Sequence, residues 1–204
     1  MLIFQRAQGI VKVEVQPENI NIISLKRRQV FYFILCTLCA VRKLKNMDTT
    51  NRIQFEKPNL IELISKYTVV DLHFHTHYSD GNNSIEEIAR QAGKLGIGVA
   101  ITDHNEIKGA VEIDSYKDIL SIPGIEITSK EGTHILVYFY DVKSLKRFYE
   151  NDVKPFLGDT IMSSTSLKME EIMKRAGAYK AVTVFPHPYS PAFTGIYNDY
   201  FPKE

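Results

Sequence analysis

The body of this chain has no cysteine. Its two cysteines, Cys36 and Cys39, both lie within the first 46 residues, so no disulfide framework holds the remainder together. That usage fits a reducing cytoplasm. A lone C-x-x-C could be half of a zinc site or a redox pair. Here it sits in the apolar run VFYFILCTLCAV with no second Cys/His pair and no βαβ pattern around it, and it reads as buried or incidental thiols. Long hydrophobic runs are lacking as well. Residues 30–41 are apolar over 12 positions, well short of the ~20 needed to span a bilayer. The run also lies too deep for a signal peptide and has no small-residue cleavage pattern after it.

A surplus of one charge is the third absence. The formal net charge is +1, which argues against a nucleic-acid binder driven by bulk charge. The average conceals two different segments. Residues 1–46 carry eight Lys/Arg and two Asp/Glu, whereas the rest carries 17 basic and 22 acidic residues. The apolar run, flanked by LKRRQ and RKLK, would suit a membrane-surface anchor. Membrane contact is therefore expected only if residues 1–46 belong to the native protein. The simpler expectation is that the biological start is Met47 and that residues 1–46 are a non-native extension. Residues 47–204 are then expected to form one domain, a size at which a sizeable core can be buried.

From Tyr67 onward, strand-like and helix-like stretches alternate, with no internal repeat and no low-complexity tract. TVVDLHFH (68–75), GVAITDH (98–104), IPGIEIT (122–128), HILVYFY (134–140) and AVTVF (181–185) read as strands. Ser84 and Glu87 have capping-box spacing. Behind them Ile85, Ile88, Ala89, Ala92 and Leu95 follow helical spacing to Gly96. A short helix is expected around Ile107, Ala110 and Val111. Others are expected through SLKRFYENDVKPFL, limited by Pro155, and along Met169, Ile172, Met173 and Ala176, stopped by Gly177. This order predicts α/β architecture with mainly parallel strands, a class in which sites gather at the carboxyl ends of strands.

Five groups of polar residues lie at such ends. Asp71, His73 and His75 alternate with Leu72 and Phe74, so they share one face of a strand. Imidazoles two residues apart can converge on one ion with bonds of about 2 Å. Asp80 follows in a Gly/Asn-rich turn, free to point back over the strand ends. The other groups are Thr102-Asp103-His104-Asn105, Gly124-Ile125-Glu126, His134, and Pro186-His187-Pro188. Each motif taken singly is weak. Together they set five histidines and several carboxylates against apolar strands, where buried ionisable groups are costly unless paired or metal-bound. The candidate metal ligands are His73, His75, Asp80, His104, Glu126, His134 and His187, and the candidate catalytic residues are Asp103 and Glu126. Asp71 and Asp103 are read as standing behind the ligands, orienting imidazoles. His77 is left out as a turn residue.

The order DLHFHTHYSDG, ITDHN, GIEI, GTHILVY, FPHP resembles the PHP (polymerase and histidinol phosphatase) family of metal-dependent phosphoesterases, over roughly Val69 to Pro188. The resemblance implies a distorted TIM-like barrel of seven β/α units with two or three divalent transition-metal ions, Zn, Mn or Fe. It implies that His73 and His75 with Glu126 hold one ion. It further implies that Glu126 bridges to a second, completed by His134 and His187, and that Asp80 and His104 belong to a third. Family members also carry a late Asp-x-His. No such pair follows His187, where only Tyr197, Asp199 and Tyr200 offer oxygen ligands. A C-terminally truncated domain, whose first and third sites each lack one ligand, is the simplest expectation.

Bound cations lower the pKa of water toward ~7 and neutralise phosphoryl oxygens. The expected activity is accordingly hydrolysis of a small phosphomonoester or nucleotide by metal-bound hydroxide. Nucleic acid is not expected as a partner, since the body is acidic and polymerase motifs are missing. Alternatives are a catalytically impaired metal-binding or regulatory remnant, an exonuclease-type phosphodiesterase, and an amidohydrolase-like enzyme. The last is disfavoured because no lysine is placed to act as a carboxylated bridge and Glu126 already fills that position. If Met47 is the native start, the intact mass of the native protein falls clearly below the 23.4 kDa of the full chain; a value at 23.4 kDa overturns that start.

Overall fold

The structure is a computed structural model that describes residues 2–6, 9–13, 53–54, 59–188, 190 and 194–196. Cys36, Cys39, the apolar run 30–41, the expected boundary at residue 46, and Tyr197, Asp199 and Tyr200 lie outside the described residues. The chain forms two compact units, Met1–Val69 and Val70–Glu204. The first contains strands β1 (Leu2–Arg6), β2 (Gly9–Val13) and β3 (Ile53–Gln54), antiparallel in that order, and helix α1 (Leu60–Lys66). The Asn59 side chain caps α1 by accepting from the Ile61 N–H at 3.1 Å. No described helix is long and apolar enough to cross a membrane.

The second unit runs β4 (Val70–Phe74), α2 (Ile85–Leu95), β5 (Gly98–Ile101), α3 (Lys108–Ile113), β6 (Gly124–Thr128), β7 (His134–Tyr138), α4 (Val142–Phe148), α5 (Met169–Ala178) and β8 (Val182–Val184). All five strands read from the sequence are present, each shortened. The capping box forms as its spacing predicts: the Ser84 N–H donates to Glu87 Oε2 at 2.8 Å, and the Glu87 N–H donates to Ser84 Oγ at 3.3 Å. Gly96 closes α2 in the left-handed region at φ 67°, where a side chain would be strained. The stretch after α4 does not stay α-helical. It widens into a π turn over Tyr149–Val153 and tightens into a 3₁₀ turn over Lys154–Phe156, where Pro155 has no N–H to donate. Gly177 does not stop α5, which continues to Ala178. The left-handed residue is Lys180 (φ 55°), with Ala181 N–H returning to the Ala176 carbonyl.

The sheets are mixed. β4 and β5 are parallel, and a parallel bridge between His104 and Glu126 carries the pairing on to β6. β6, β7 and β8 are antiparallel. The expectation of mainly parallel strands fails at 129–133 for a simple reason. A connection this short makes a hairpin, whereas a parallel return needs a crossover of a dozen or more residues. Gly132, at φ 93°, supplies the hairpin turn. The described strands close no barrel, so the α/β class holds while the expected TIM-like barrel is not what they form.

Ile85, Ile101, Ile125, Ile127, Ile135 and Phe148 belong to one continuous core in which each is at most 1% exposed. β6 is buried along its whole length, and among Ile125, Ile127 and their neighbours it carries Glu126, at 0% exposure. Replacing Phe148 by Ala is expected to cost about 3–5 kcal/mol through the cavity left behind. Replacing Ser84 by Ala is expected to cost about 1 kcal/mol through loss of the cap. Urea titration should show both as a lowered midpoint with an unchanged m-value.

Candidate metal centre

The site is built where β4, β5 and β8 end and β7 begins, beside the middle of β6. His73 lies in β4 and His75 just beyond it, and they meet as the strand's alternation requires, with their Nε2 atoms 2.9 Å apart. Both face Glu126 Oε2, at 3.2 Å and 3.0 Å. His104, past the end of β5, brings Nδ1 to 3.4 Å from the same oxygen. The other oxygen, Oε1, has His134 Nδ1 at 3.1 Å and His187 Nε2 at 3.5 Å. The five rings form a closed circuit around the carboxylate in the order 73, 75, 104, 134, 187, with neighbouring centroids 4.6–5.9 Å apart. Asp80 stands at the rim. Its Oδ1 is 2.7 Å from His75 Nδ1, and its Oδ2 is 3.6 Å from His104 Nε2.

This arrangement is electrostatically loaded. Burial alone would push the Glu126 carboxyl up, but the facing imidazoles of His134, His187, His73 and His75 outweigh it and hold the group far below the usual carboxylate range. Burial likewise depresses His75, yet Glu126 and Asp80 raise it above the ordinary imidazole value. His104 is pushed down to about 4 by burial, with His75 and His134 adding to the effect against Glu126. At neutral pH it keeps a free lone pair, the form a metal requires. Asp80 resists its own partial burial because His75 and His104 hold it ionised.

The buried atoms Glu126 Oε1, His104 Nδ1 and His134 Nδ1 have no hydrogen-bond partner. Such orphans are costly in a protein interior. A cation among them would satisfy all three, and a mixed imidazole and carboxylate donor set suits Zn, Mn or Fe better than Mg or Ca. The residues therefore fit a divalent transition metal. Three groups are compact enough to share one ion: His73, His75 and Glu126; His75, Asp80 and His104; and His104, Glu126 and His134. The first matches the partition implied by resemblance. In the other two, His75 joins Asp80 and His104, and His104 stands where His187 was expected.

All seven expected ligands converge, but the supporting carboxylates do not behave as expected. Asp71 Oδ1 accepts from the backbone N–H of His73 at 3.3 Å, not from an imidazole. Asp103 is 1% exposed, and its oxygens accept from Thr76 and Ser79. It is absent from every group able to share an ion. His77 lies over the turn, its Nδ1 3.3 Å from the Asn83 carbonyl.

Several supporting residues were not singled out from the sequence. Asn105 is wholly buried at φ 50°; its Nδ2 donates to the carbonyls of Ile161 (2.7 Å) and Ser163 (2.9 Å), and its Oδ1 accepts from the Thr128 N–H (3.1 Å). Its tolerance of the left-handed region was the one available signal. The Tyr138 hydroxyl donates to the Leu72 carbonyl, tying β7 to β4. Thr194 Oγ1 lies 3.4 Å from His187 Nδ1, and the Thr194 carbonyl accepts from the His134 N–H at 2.9 Å. No local pattern marks these partners, because each is created by the fold.

Comparison with known proteins bears on the family and the fold. The family model for the PHP domain matches residues 71–176. An uncharacterized protein of Methanocaldococcus jannaschii, MJ1587, is 33% identical over 136 residues, covering 59% of this chain and 68% of that protein. Two solved structures share the fold at 24% identity, each over 65% of this chain. One is endonuclease Q in complex with a 27-mer duplex substrate bearing an abasic lesion, with a TM-score of 0.54. The other is the lesion-specific endonuclease Q of Pyrococcus furiosus, with a TM-score of 0.55. This chain spans 38% and 37% of those nucleases. The expectation that nucleic acid is not a partner is corrected here. A protein of this fold is seen holding duplex DNA, so an acidic body and missing polymerase motifs are no ground for excluding it. With a family model matched over more than half its length and a relative one-third identical, the chain belongs to the PHP domain family.

Proposed function

We propose that this chain hydrolyses a small phosphomonoester or nucleotide, using two or three divalent transition-metal ions held by His73, His75, Asp80, His104, Glu126, His134 and His187. The observation that carries this reading is a wholly buried carboxylate with five imidazole nitrogens within 3.5 Å of its oxygens. When bound, such ions lower the pKa of water toward ~7 and neutralise charge on phosphoryl oxygens. Glu126 is suited to bridging because its two oxygens face different sets of imidazoles. Asp80 is half-exposed at the mouth, where with His75 and His104 it would orient the phosphate or the leaving oxygen. Burial keeps His104 neutral.

A second reading is supported by one observation, the fold shared with endonuclease Q: the same centre would cleave a phosphodiester of nucleic acid. The two readings differ in what occupies the rim, and paired assays separate them. With Mn or Zn added, p-nitrophenyl phosphate should be turned over, and Glu126→Gln should reduce that turnover by more than about a hundredfold. Undiminished turnover in Glu126→Gln overturns the bridging role. Cleavage of an abasic duplex without monoester turnover favours the nuclease, and bound metal without either activity favours a regulatory remnant. Metal binding should also raise the melting temperature. That gain should fade as pH falls, beginning where His75, held above the ordinary imidazole value by Glu126 and Asp80, takes up a proton that competes for the same lone pair.

A further inference from the structure

We infer that Asp103 is a positioning residue: its carboxylate holds the loop of residues 76–81 so that Asp80 stands opposite His75 and His104. The inference rests on the reading of this cluster as a metal centre. It assigns Asp103 a task other than ligation or proton transfer.

Three donors meet the Asp103 carboxylate. Oδ1 accepts from the Thr76 N–H at 2.7 Å and from Ser79 Oγ at 2.7 Å, and Oδ2 accepts from Thr76 Oγ1 at 2.8 Å. These are charge-assisted bonds in a position that is 1% exposed, where they are strongest and where water offers no substitute. Thr76, itself wholly buried, passes the constraint along the loop. Its carbonyl accepts from the N–H groups of Ser79 and Gly81, each at 3.0 Å, and its Oγ1 accepts from the Tyr78 N–H at 3.1 Å. Asp80 therefore sits between two residues that are both tied to Thr76, and one of them also touches Asp103.

The backbone of Asp103 is fixed at the same time. Its carbonyl accepts from the Glu126 N–H at 3.2 Å, while the Asn105 N–H donates to the Glu126 carbonyl at 2.8 Å. One residue thus links the loop after β4 to the strand carrying the central carboxylate, and its chain neighbour is His104. Two glycines leave room for this. A Cβ on Gly109 would lie 2.5 Å from Asp103 Oδ2, and a Cβ on Gly81 would collide with the His75 carbonyl. The first residue of α3 beyond its start and the loop after Asp80 are thus both stripped of side chain where they face this junction. The bonds order an otherwise half-exposed Asp80 at the distances that make it the third member of the group with His75 and His104.

The experiment compares wild type, Asp80→Asn, Asp103→Asn, Ser79→Ala and the double variant Asp80→Asn/Asp103→Asn. Two readouts are used: Mn and Zn affinity by chelator competition, and hydrogen exchange of the Ser79 and Gly81 amides in metal-free protein. Asp103→Asn and Asp80→Asn should each weaken the same ion by about 10–100-fold while the remaining metal stays bound. The double variant should be no weaker than Asp80→Asn, because Asp103 acts only through Asp80. Exchange should quicken in Asp103→Asn, and less so in Ser79→Ala, but not in Asp80→Asn. Unchanged exchange in Asp103→Asn overturns the inference, as does a double variant in which the two losses multiply. Wild type that binds no metal, with the exchange pattern as expected, would instead count against the metal-centre reading while the loop-holding role stands. Ser79→Ala removes one of the three bonds to Asp103, together with the longer 3.4 Å contact from Ser79 Oγ to Asp80 Oδ1, and its amide exchange keeps the test readable if Asp103→Asn fails to fold.

Discussion

Burying an ionised carboxylate inside a β-strand is among the more costly things a fold can do, and this one does it at Glu126. The side chain is 1% exposed, and its strand neighbours Ile125 and Ile127 belong to the apolar core. Everything else at the site follows from meeting that cost. Five imidazoles come from four separate places in the chain to surround two oxygens. Even so, Glu126 Oε1 and the Nδ1 atoms of His104 and His134 keep lone pairs or protons without partners. Protein groups alone leave the cluster unsatisfied, and a divalent cation is the species whose charge and coordination habit complete it.

The strand arrangement explains how such distant residues meet. Parallel pairing of β4 with β5 puts the ends carrying His75 and His104 side by side. The bridge from His104 to Glu126 aligns β5 with the middle of β6, and the hairpin at 129–133 returns the chain so that His134 pairs with Thr128, two residues from Glu126. The antiparallel β7–β8 pair then delivers His187 to the same end. A reversal of direction that departs from the expected parallel order is thus what lets the start of one strand and the end of another face each other.

Local chemistry made much of this legible. The capping box at Ser84 and Glu87, the left-handed Gly96 and the helical stripe between them depend on neighbours within one or two turns, so they appear where their spacing says. The alternation through Asp71, His73 and His75 correctly put both imidazoles on one face, because a strand's pleat has a fixed period. Helix ends were less legible. Gly177 is passed over, since buried Ala176 and the return of Ala181 set the end of α5 more firmly than a single glycine does.

By itself the sequence determined the residue types, their spacing within each strand, and hence that imidazoles and carboxylates would collect at strand ends of an α/β unit. Those properties are local, and local periodicity records them. Only the tertiary structure decided that Asp103 turns to Thr76 and Ser79 instead of an imidazole, that Asn105 and Thr194 brace the site, and that the strands form mixed sheets. Each of those outcomes depends on which segment becomes a neighbour after folding, and no spacing along the chain encodes a partner that lies dozens of residues away.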